Sequence, residues 1–141
     1  MPVRKANAAW EGTLREGDGK MSASSGAFED LPYSFHTRFE EEPGTNPEEL
    51  IGAAHAGCFS MKFAGDLESA GYDPERVETE ASVHLDNDAL KVVKIELETT
   101  AEVSDVDEEE FQEIAQDSKE NCPISKTLAA VDEITLNATL Q

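Results

Sequence analysis

The chain is short of basic residues: 11 Lys and Arg stand against 31 Asp and Glu, for a formal net charge of -20. A surface of that charge repels polyanions at long range, which argues against nucleic acid and anionic membranes as partners. Long apolar runs are missing too. No segment approaches the ~18 apolar residues of a membrane span. Met1 to Gly12 is interrupted by Arg4, Lys5, Asn7 and Glu11 and lacks the apolar stretch of a secretory signal. Only two cysteines are present, Cys58 and Cys122, with no CxxC or CxxH spacing, which argues against zinc. Internal repeats and low-complexity linkers are absent.

At 141 residues the chain has the length of one domain, expected over residues 1–141. A chain of that size buries roughly 68–70% of its unfolded surface and needs no metal or disulfide to fold. Its 38% hydrophobic residues fall in periodic segments, so the acidic excess reads as the coat of a folded protein. Such a coat destabilises by self-repulsion until salt screens it, and the Debye length shrinks to about 3 Å at 1 M. We therefore expect a cytoplasmic, halophilic protein. Its melting temperature should rise much further in sodium chloride than in matched sucrose, which strengthens burial without screening charge. Full stability already at about 0.1 M salt would reduce the coat to a solubility feature.

Glu40-Glu41-Glu42-Pro43-Gly44 is the strongest loop signal and divides two regimes. Before it, Ala6 to Leu14, Lys20 to Phe28 and Tyr33 to Phe39 read as the strands of an antiparallel meander. After it, Asn46 is a helix N-cap, Pro47 takes the first helical position and Glu49 is placed as a capping-box partner. That helix is expected from Pro47 to about Ala70, with Gly71 as its stop. Leu50 to Ala64 is apolar or small on nearly every face, which predicts a helix buried all round.

Clean alternation then predicts two strands, with Val77, Thr79, Ala81, Val83 and Leu85 inward in the first. Ile95, Leu97, Thr99, Ala101 and Val103 point inward in the second. Asp86-Asn87-Asp88 should join them as a hairpin. Asp107 to Lys119 reads as an amphipathic helix with Phe111, Ile114 and Ala115 inward. Pro123 opens a short helix to about Ala130, and Glu133 to Gln141 is a last strand. Strands, long helix, strands, helices and strand make an α+β domain.

With no export signal, the two thiols are expected in a reducing compartment, where a cysteine pair is more often redox-active than a staple. Cys58 sits midway along the small-residue helix and reads equally as a packing residue. Cys122 is at or near a helix N-cap, where the dipole lowers a thiol pKa. His55 reads as a hydrogen-bonded core histidine, and His36 and His84 as surface or strand positions. The acidic clusters Glu40-Glu41-Glu42 and Asp107-Glu108-Glu109-Glu110 read as solvated charge, not calcium sites. Phe35, Phe39, Phe59, Met61 and Phe63 read as ordinary core, or as lining for an apolar substrate tail.

The run Asn46-Pro47-Glu48-Glu49-Leu50-Ile51-Gly52-Ala53-Ala54-His55-Ala56-Gly57-Cys58-Phe59-Ser60-Met61 closely resembles the first-cysteine motif of the OsmC/Ohr family. Asn121-Cys122-Pro123-Ile124-Ser125 resembles its second-cysteine segment, and Thr37-Arg38-Phe39-Glu40 its upstream arginine segment. His55 with Ser60-Met61 favours the OsmC branch, while Gly57 and Lys62 depart slightly from the pattern. The resemblance covers essentially the whole chain. It implies antiparallel sheets around a long buried helix in an intertwined homodimer. It also implies a thiol peroxidase that reduces organic hydroperoxides, and hydrogen peroxide as a further substrate, in oxidative and osmotic stress defence.

In that reading Cys58 is the peroxidatic thiol, Cys122 resolves it, and Arg38 with Glu48 orients and activates them. No cofactor is implied beyond an external dithiol, small or protein-borne. Glu48 and Cys58 stand ten residues apart on one helix, about 15 Å along its axis. They cannot touch within one straight helix, so either Arg38 spans the gap or Glu48 comes from the symmetry mate, and the composite site at the dimer interface is the favoured arrangement. Two other functions remain open on the sequence. One is a stress protein that binds small amphiphiles and keeps its cysteines for packing; the other is a thiol-disulfide oxidoreductase acting on protein partners.

Overall fold

A computed structural model describes residues 1–141. The chain divides into two compact units, Met1–Leu50 and Ile51–Gln141. No helix is long and apolar enough to cross a membrane.

The first unit is an antiparallel meander of β1 (Ala6–Glu11), β2 (Asp18–Ala23) and β3 (Leu31–Tyr33), followed by α1 (Phe35–Phe39). Trp10 and Tyr33 flank the middle strand with ring centroids 5.6 Å apart. Gly19 lies against them, where a Cβ would come within 2.6 Å of Tyr33 and 2.7 Å of Trp10. Tyr33 to Phe39 is therefore not one strand, as the alternation suggests. Ser34 closes a capping box: its Oγ accepts from the Thr37 amide at 3.2 Å, while Thr37 Oγ1 accepts from the Ser34 amide at 2.9 Å. The helix this nucleates brings Phe35 and Phe39 together at 5.0 Å. No hydrophobic side chain of this unit is fully buried, and every residue of β1 is exposed.

The long helix α2 (Pro47–Ser69) starts as predicted, with Asn46 Oδ1 accepting from the Glu49 amide at 2.8 Å. The Glu49 carboxylate, however, accepts from the Thr45 hydroxyl at 3.0 Å instead of closing a capping box. In the second unit α2 buries one face only. Gly52, His55, Phe59, Phe63 and Leu67 point inward, whereas Ala53, Ala54, Gly57, Met61 and Gly65 are exposed, Met61 at 82%. The expectation of burial on every face fails for the single chain, since its own elements cover one stripe of the cylinder.

That stripe packs on a three-stranded sheet, β4 (Pro74–Asp86), β5 (Lys91–Val103) and β6 (Glu133–Leu140), with β5 in the middle. The expected hairpin forms, with Ala81 opposite Leu97 and Val83 opposite Ile95. The sheet is not wholly antiparallel, because β6 runs parallel to β5 with Leu97 opposite Leu136. Parallel neighbours need a crossover, which α3 (Glu108–Asn121) and α4 (Pro123–Thr127) supply. Asp107 caps α3 as its side chain accepts from the Glu110 amide, and Phe111 and Ala115 are fully buried as predicted. Phe59, Phe63, Leu67, Ile95, Leu97 and Phe111 form the centre of the core. Each such side chain contributes about 1.5–3 kcal/mol by burial. α4 stops at Thr127, short of the expected Ala130, and turns lead into β6.

Candidate active site

Cys122 stands at a joint. It closes α3, its amide donating to Ser118 O at 2.9 Å, and it is the N-cap of α4, where Pro123 supplies the first helical residue. The joint turns the sulfur toward α2, where Cys58 lies next to Phe59 on the buried stripe. The two Sγ atoms are 3.0 Å apart, both thiols are free, Cys122 is fully buried and Cys58 is half-buried. Cys58 borders an apolar opening of about 450 Å³ with Met61, Lys62, Gly65, Asp66 and Pro123. The Lys62 ammonium pairs with Asp66 at 2.6 Å, and Asp66 accepts from the Ser118 hydroxyl at 2.7 Å.

The thiols titrate as a pair. Burial pushes the Cys58 thiol up, its bond to Cys122 adds to that, and the Ile124 amide works the other way. Burial also raises Cys122, but the bond from Cys58, the amides of Ser125 and Ile124 and the Ser125 hydroxyl outweigh it and bring the thiol down. No side-chain cap bond closes α4, so those amides act on the sulfur as oriented dipoles. These opposite directions put the first negative charge of the pair on Cys122, with the Cys58 thiol 3.0 Å away donating to it.

Above this pair lies a second contact between the same elements: His55 Nε2 is 2.7 Å from Ser125 Oγ. His55 is the hydrogen-bonded core histidine that was expected, fully buried, with Nδ1 lacking a partner. Ser125 went unnoticed in the sequence, although both residues stand three positions from a cysteine, a spacing that puts side chains on one helix face. Burial lowers the His55 pKa from 6.5. A folded pKa below the unfolded value contributes stability that is present above about pH 6.5 and lost as the pH falls through the folded pKa. The stability advantage of wild type over His55→Gln should therefore fall between about pH 7.5 and about pH 5.5 in urea unfolding. An advantage constant across that range would show that the ring does not titrate as buried.

Arg38 and Glu48 come together within the first unit. Arg38 Nε donates to both Glu48 oxygens at 3.1 and 3.2 Å, and Nη2 donates to Oε1 at 2.8 Å. Glu48 is buried at 8% exposure and Arg38 is exposed, its side chain at 39%, so the two-point ionic contact joins a buried carboxylate to a guanidinium open to the surface. A cavity of about 440 Å³ opens beside the guanidinium, lined by Trp10, Leu14, Tyr33, Phe35 and Phe39. Phe59 and Phe63, by contrast, are plain core, and Met61 is exposed. His84 is a strand residue bonded to Glu96 at 2.8 Å, and His36 sits on α1 bonded to Glu40 at 2.6 Å. No group of three His, Cys, Asp or Glu side chains is placed to hold a metal ion.

Comparison with known proteins identifies the family. Residues 39–137, more than half of the chain, match the family model described as OsmC-like protein. The chain is 46% identical to the Peroxiredoxin OsmC of Escherichia coli, over 98% of this chain and 96% of that protein. It is 32% identical to the Organic hydroperoxide resistance protein-like 1 of Staphylococcus saprophyticus, over 72% of this chain and 73% of that protein. The OsmC like protein from Mycoplasma pneumoniae shares the α+β fold with a TM-score of 0.74 at 16% identity, over 99% of this chain and 97% of that one. The thiol pair and its helices, the matching residues and the full-length likeness lead to one conclusion: the chain belongs to the OsmC family.

Proposed function

We propose that the protein is a thiol peroxidase that reduces organic hydroperoxides through Cys58 and Cys122. The observation that carries the reading is two free thiols 3.0 Å apart, one fully buried and one beside an apolar opening. The names of its relatives, a peroxiredoxin and an organic hydroperoxide resistance protein, point the same way. The Cys58 thiolate attacks the terminal oxygen of the hydroperoxide, the O–O bond breaks, and the alkoxide takes a proton and leaves as the alcohol. Cys58 becomes a sulfenic acid. The Cys122 sulfur attacks it, an S–S bond forms, and hydroxide leaves with the Cys122 proton as water. An external dithiol restores both thiols and is itself oxidised to a disulfide. No cofactor enters the cycle, and a cytoplasmic setting supplies such dithiols.

In the single chain the first negative charge settles on Cys122, so a peroxidatic Cys58 calls for a cation beside it. We assign that role to Arg38, held by Glu48 in a two-point contact that keeps its planar face fixed. The pair is supplied by a second copy of the chain in an intertwined homodimer. Two observations support this: the exposed small-residue face of α2, and a first unit with no fully buried hydrophobic side chain. Surfaces of this kind are stable when another chain covers them.

Consumption of an organic hydroperoxide with a small dithiol tests the assignment. Wild type should turn over, and alkylation of the thiols beforehand should stop it. Turnover that survives alkylation, or none with any hydroperoxide, would leave a binding protein or a thiol-disulfide oxidoreductase instead.

A further inference from the structure

The two sulfurs do not face the surface equally. Cys58 is half-buried and borders the apolar opening of about 450 Å³, together with Met61, Lys62, Gly65 and Pro123. Cys122 does not line that opening. It is fully buried and belongs to the core that holds Phe59, Phe63 and Phe111. A second copy laid on the exposed side of α2 can cover Cys58 further, but it cannot uncover Cys122.

Thiol–disulfide exchange is a displacement at sulfur, in which the incoming thiolate, the sulfur attacked and the sulfur that leaves stand in line. An attack on Cys122 would have to arrive from the side away from Cys58, where a residue with no exposed surface offers no path. An attack on Cys58 needs only the opening that Cys58 already borders. Leaving-group order agrees. Burial raises the Cys58 thiol, and Cys122, lowered against its own burial by the bonds it accepts, is the sulfur that leaves faster. Charge permits the approach as well. A thiolate meets a chain of net charge -20, yet Lys62 and Asp66, the charged side chains at the opening, pair at 2.6 Å and offset each other.

We propose that the reductant attacks the Cys58 sulfur of the Cys58–Cys122 disulfide, through the same opening that admits the hydroperoxide, and that Cys122 is the thiol set free first. The inference rests on the peroxidase reading above for its place in the cycle. The thiolate of an external dithiol forms an S–S bond to Cys58. The Cys58–Cys122 bond breaks, and its electron pair leaves on Cys122, which takes up a proton. The second thiol of the reductant loses its proton and attacks the reductant's own sulfur in the mixed disulfide. That closes the reductant's disulfide and releases Cys58 as a thiolate. One sulfur thus meets the oxidant and then the reductant, while Cys122 meets neither.

Reduction can be stopped halfway with a monothiol such as mercaptoethanol, which forms the mixed disulfide and has no second thiol to close it. The full-length protein is oxidised with one equivalent of an organic hydroperoxide, mixed with excess monothiol, quenched in acid at the earliest times, alkylated in denaturant and mapped by mass spectrometry. Adducts should fall on Cys58 at least about tenfold more often than on Cys122, with Cys122 alkylated in the same molecules, because a buried sulfur reacts only through local opening. Single-cysteine variants give a readout that needs no trapped intermediate. The remaining thiol of Cys122→Ser and of Cys58→Ser is titrated with a small aromatic disulfide, which runs the same displacement in reverse. Each rate is set against that of the same variant unfolded in urea. Folding should slow Cys122 about a hundredfold more than it slows Cys58.

Adducts on Cys122, adducts shared equally, or equal protection of the two thiols would overturn this choice of sulfur while leaving the peroxidase reading intact. A hydroperoxide that forms no disulfide would instead overturn the peroxidase reading. A disulfide made with diamide would then still report which sulfur a thiol attacks.

Discussion

Cys58→Ser is expected to abolish peroxide reduction, a loss on the order of 10⁶-fold if it matches the deletion of a covalent nucleophile. A serine hydroxyl at that position has no means of ionising beside a buried thiol, and Cys122 lies fully buried behind it. Cys122→Ser should behave differently. Its Cys58 still meets the apolar opening, so one equivalent of hydroperoxide is reduced, yet no partner thiol remains within the chain to capture the product. A dithiol-dependent cycle through the disulfide then disappears, while mass spectrometry of Cys122→Ser shows one oxidation event at Cys58. Oxidation confined to Cys122 in Cys58→Ser, with Cys58 inert in Cys122→Ser, would exchange the two roles. That outcome has a physical route, because in the single chain the charge of the pair favours Cys122.

Arg38→Lys keeps the positive charge and is nevertheless expected to lower kcat/KM by about 10 to 100-fold, the rate equivalent of one lost charge-assisted hydrogen bond. Two guanidinium nitrogens now grip Glu48, with Nε spread over both carboxylate oxygens and Nη2 on Oε1. An ammonium makes a point contact and cannot hold Glu48 while keeping a planar donor set turned to a thiolate. The loss should appear in the oxidation of Cys58, leaving disulfide formation unaffected. Near wild-type kcat/KM would mean that any local positive charge suffices.

The helix start at Asn46, the hairpin with its inward faces and the inward face of α3 were legible because each follows from local chemistry: an N-cap oxygen, a period of two, a period near four. The first unit was harder. Tyr33 to Phe39 alternates like a strand, and the Ser34 and Thr37 side chains that bond each other's amides decide for a helix. Strand direction is not encoded in alternation, so β6 gave no sign that it would run parallel to β5; the two intervening helices were the available clue. The exposed side of α2 misled for another reason. Ala53, Ala54, Gly57 and Met61 have the composition of a buried face, but one chain has nothing to lay on it. At the site, Arg38, Glu48, Cys58 and Cys122 came from family resemblance, and the structure brings them together two by two. Ser125 carries no charge and no unusual motif, and its bond to His55 emerges only where α4 meets α2.

Peptide mapping of the wild-type chain after one equivalent of an organic hydroperoxide, with no reductant present, tests the central claim most directly. The account predicts a single Cys58–Cys122 linked peptide, lighter by two hydrogens than the sum of its parts, which a dithiol returns to two free thiols. Two thiols that stay open to alkylation after the hydroperoxide is consumed, with oxidation instead at exposed Met61, would contradict it.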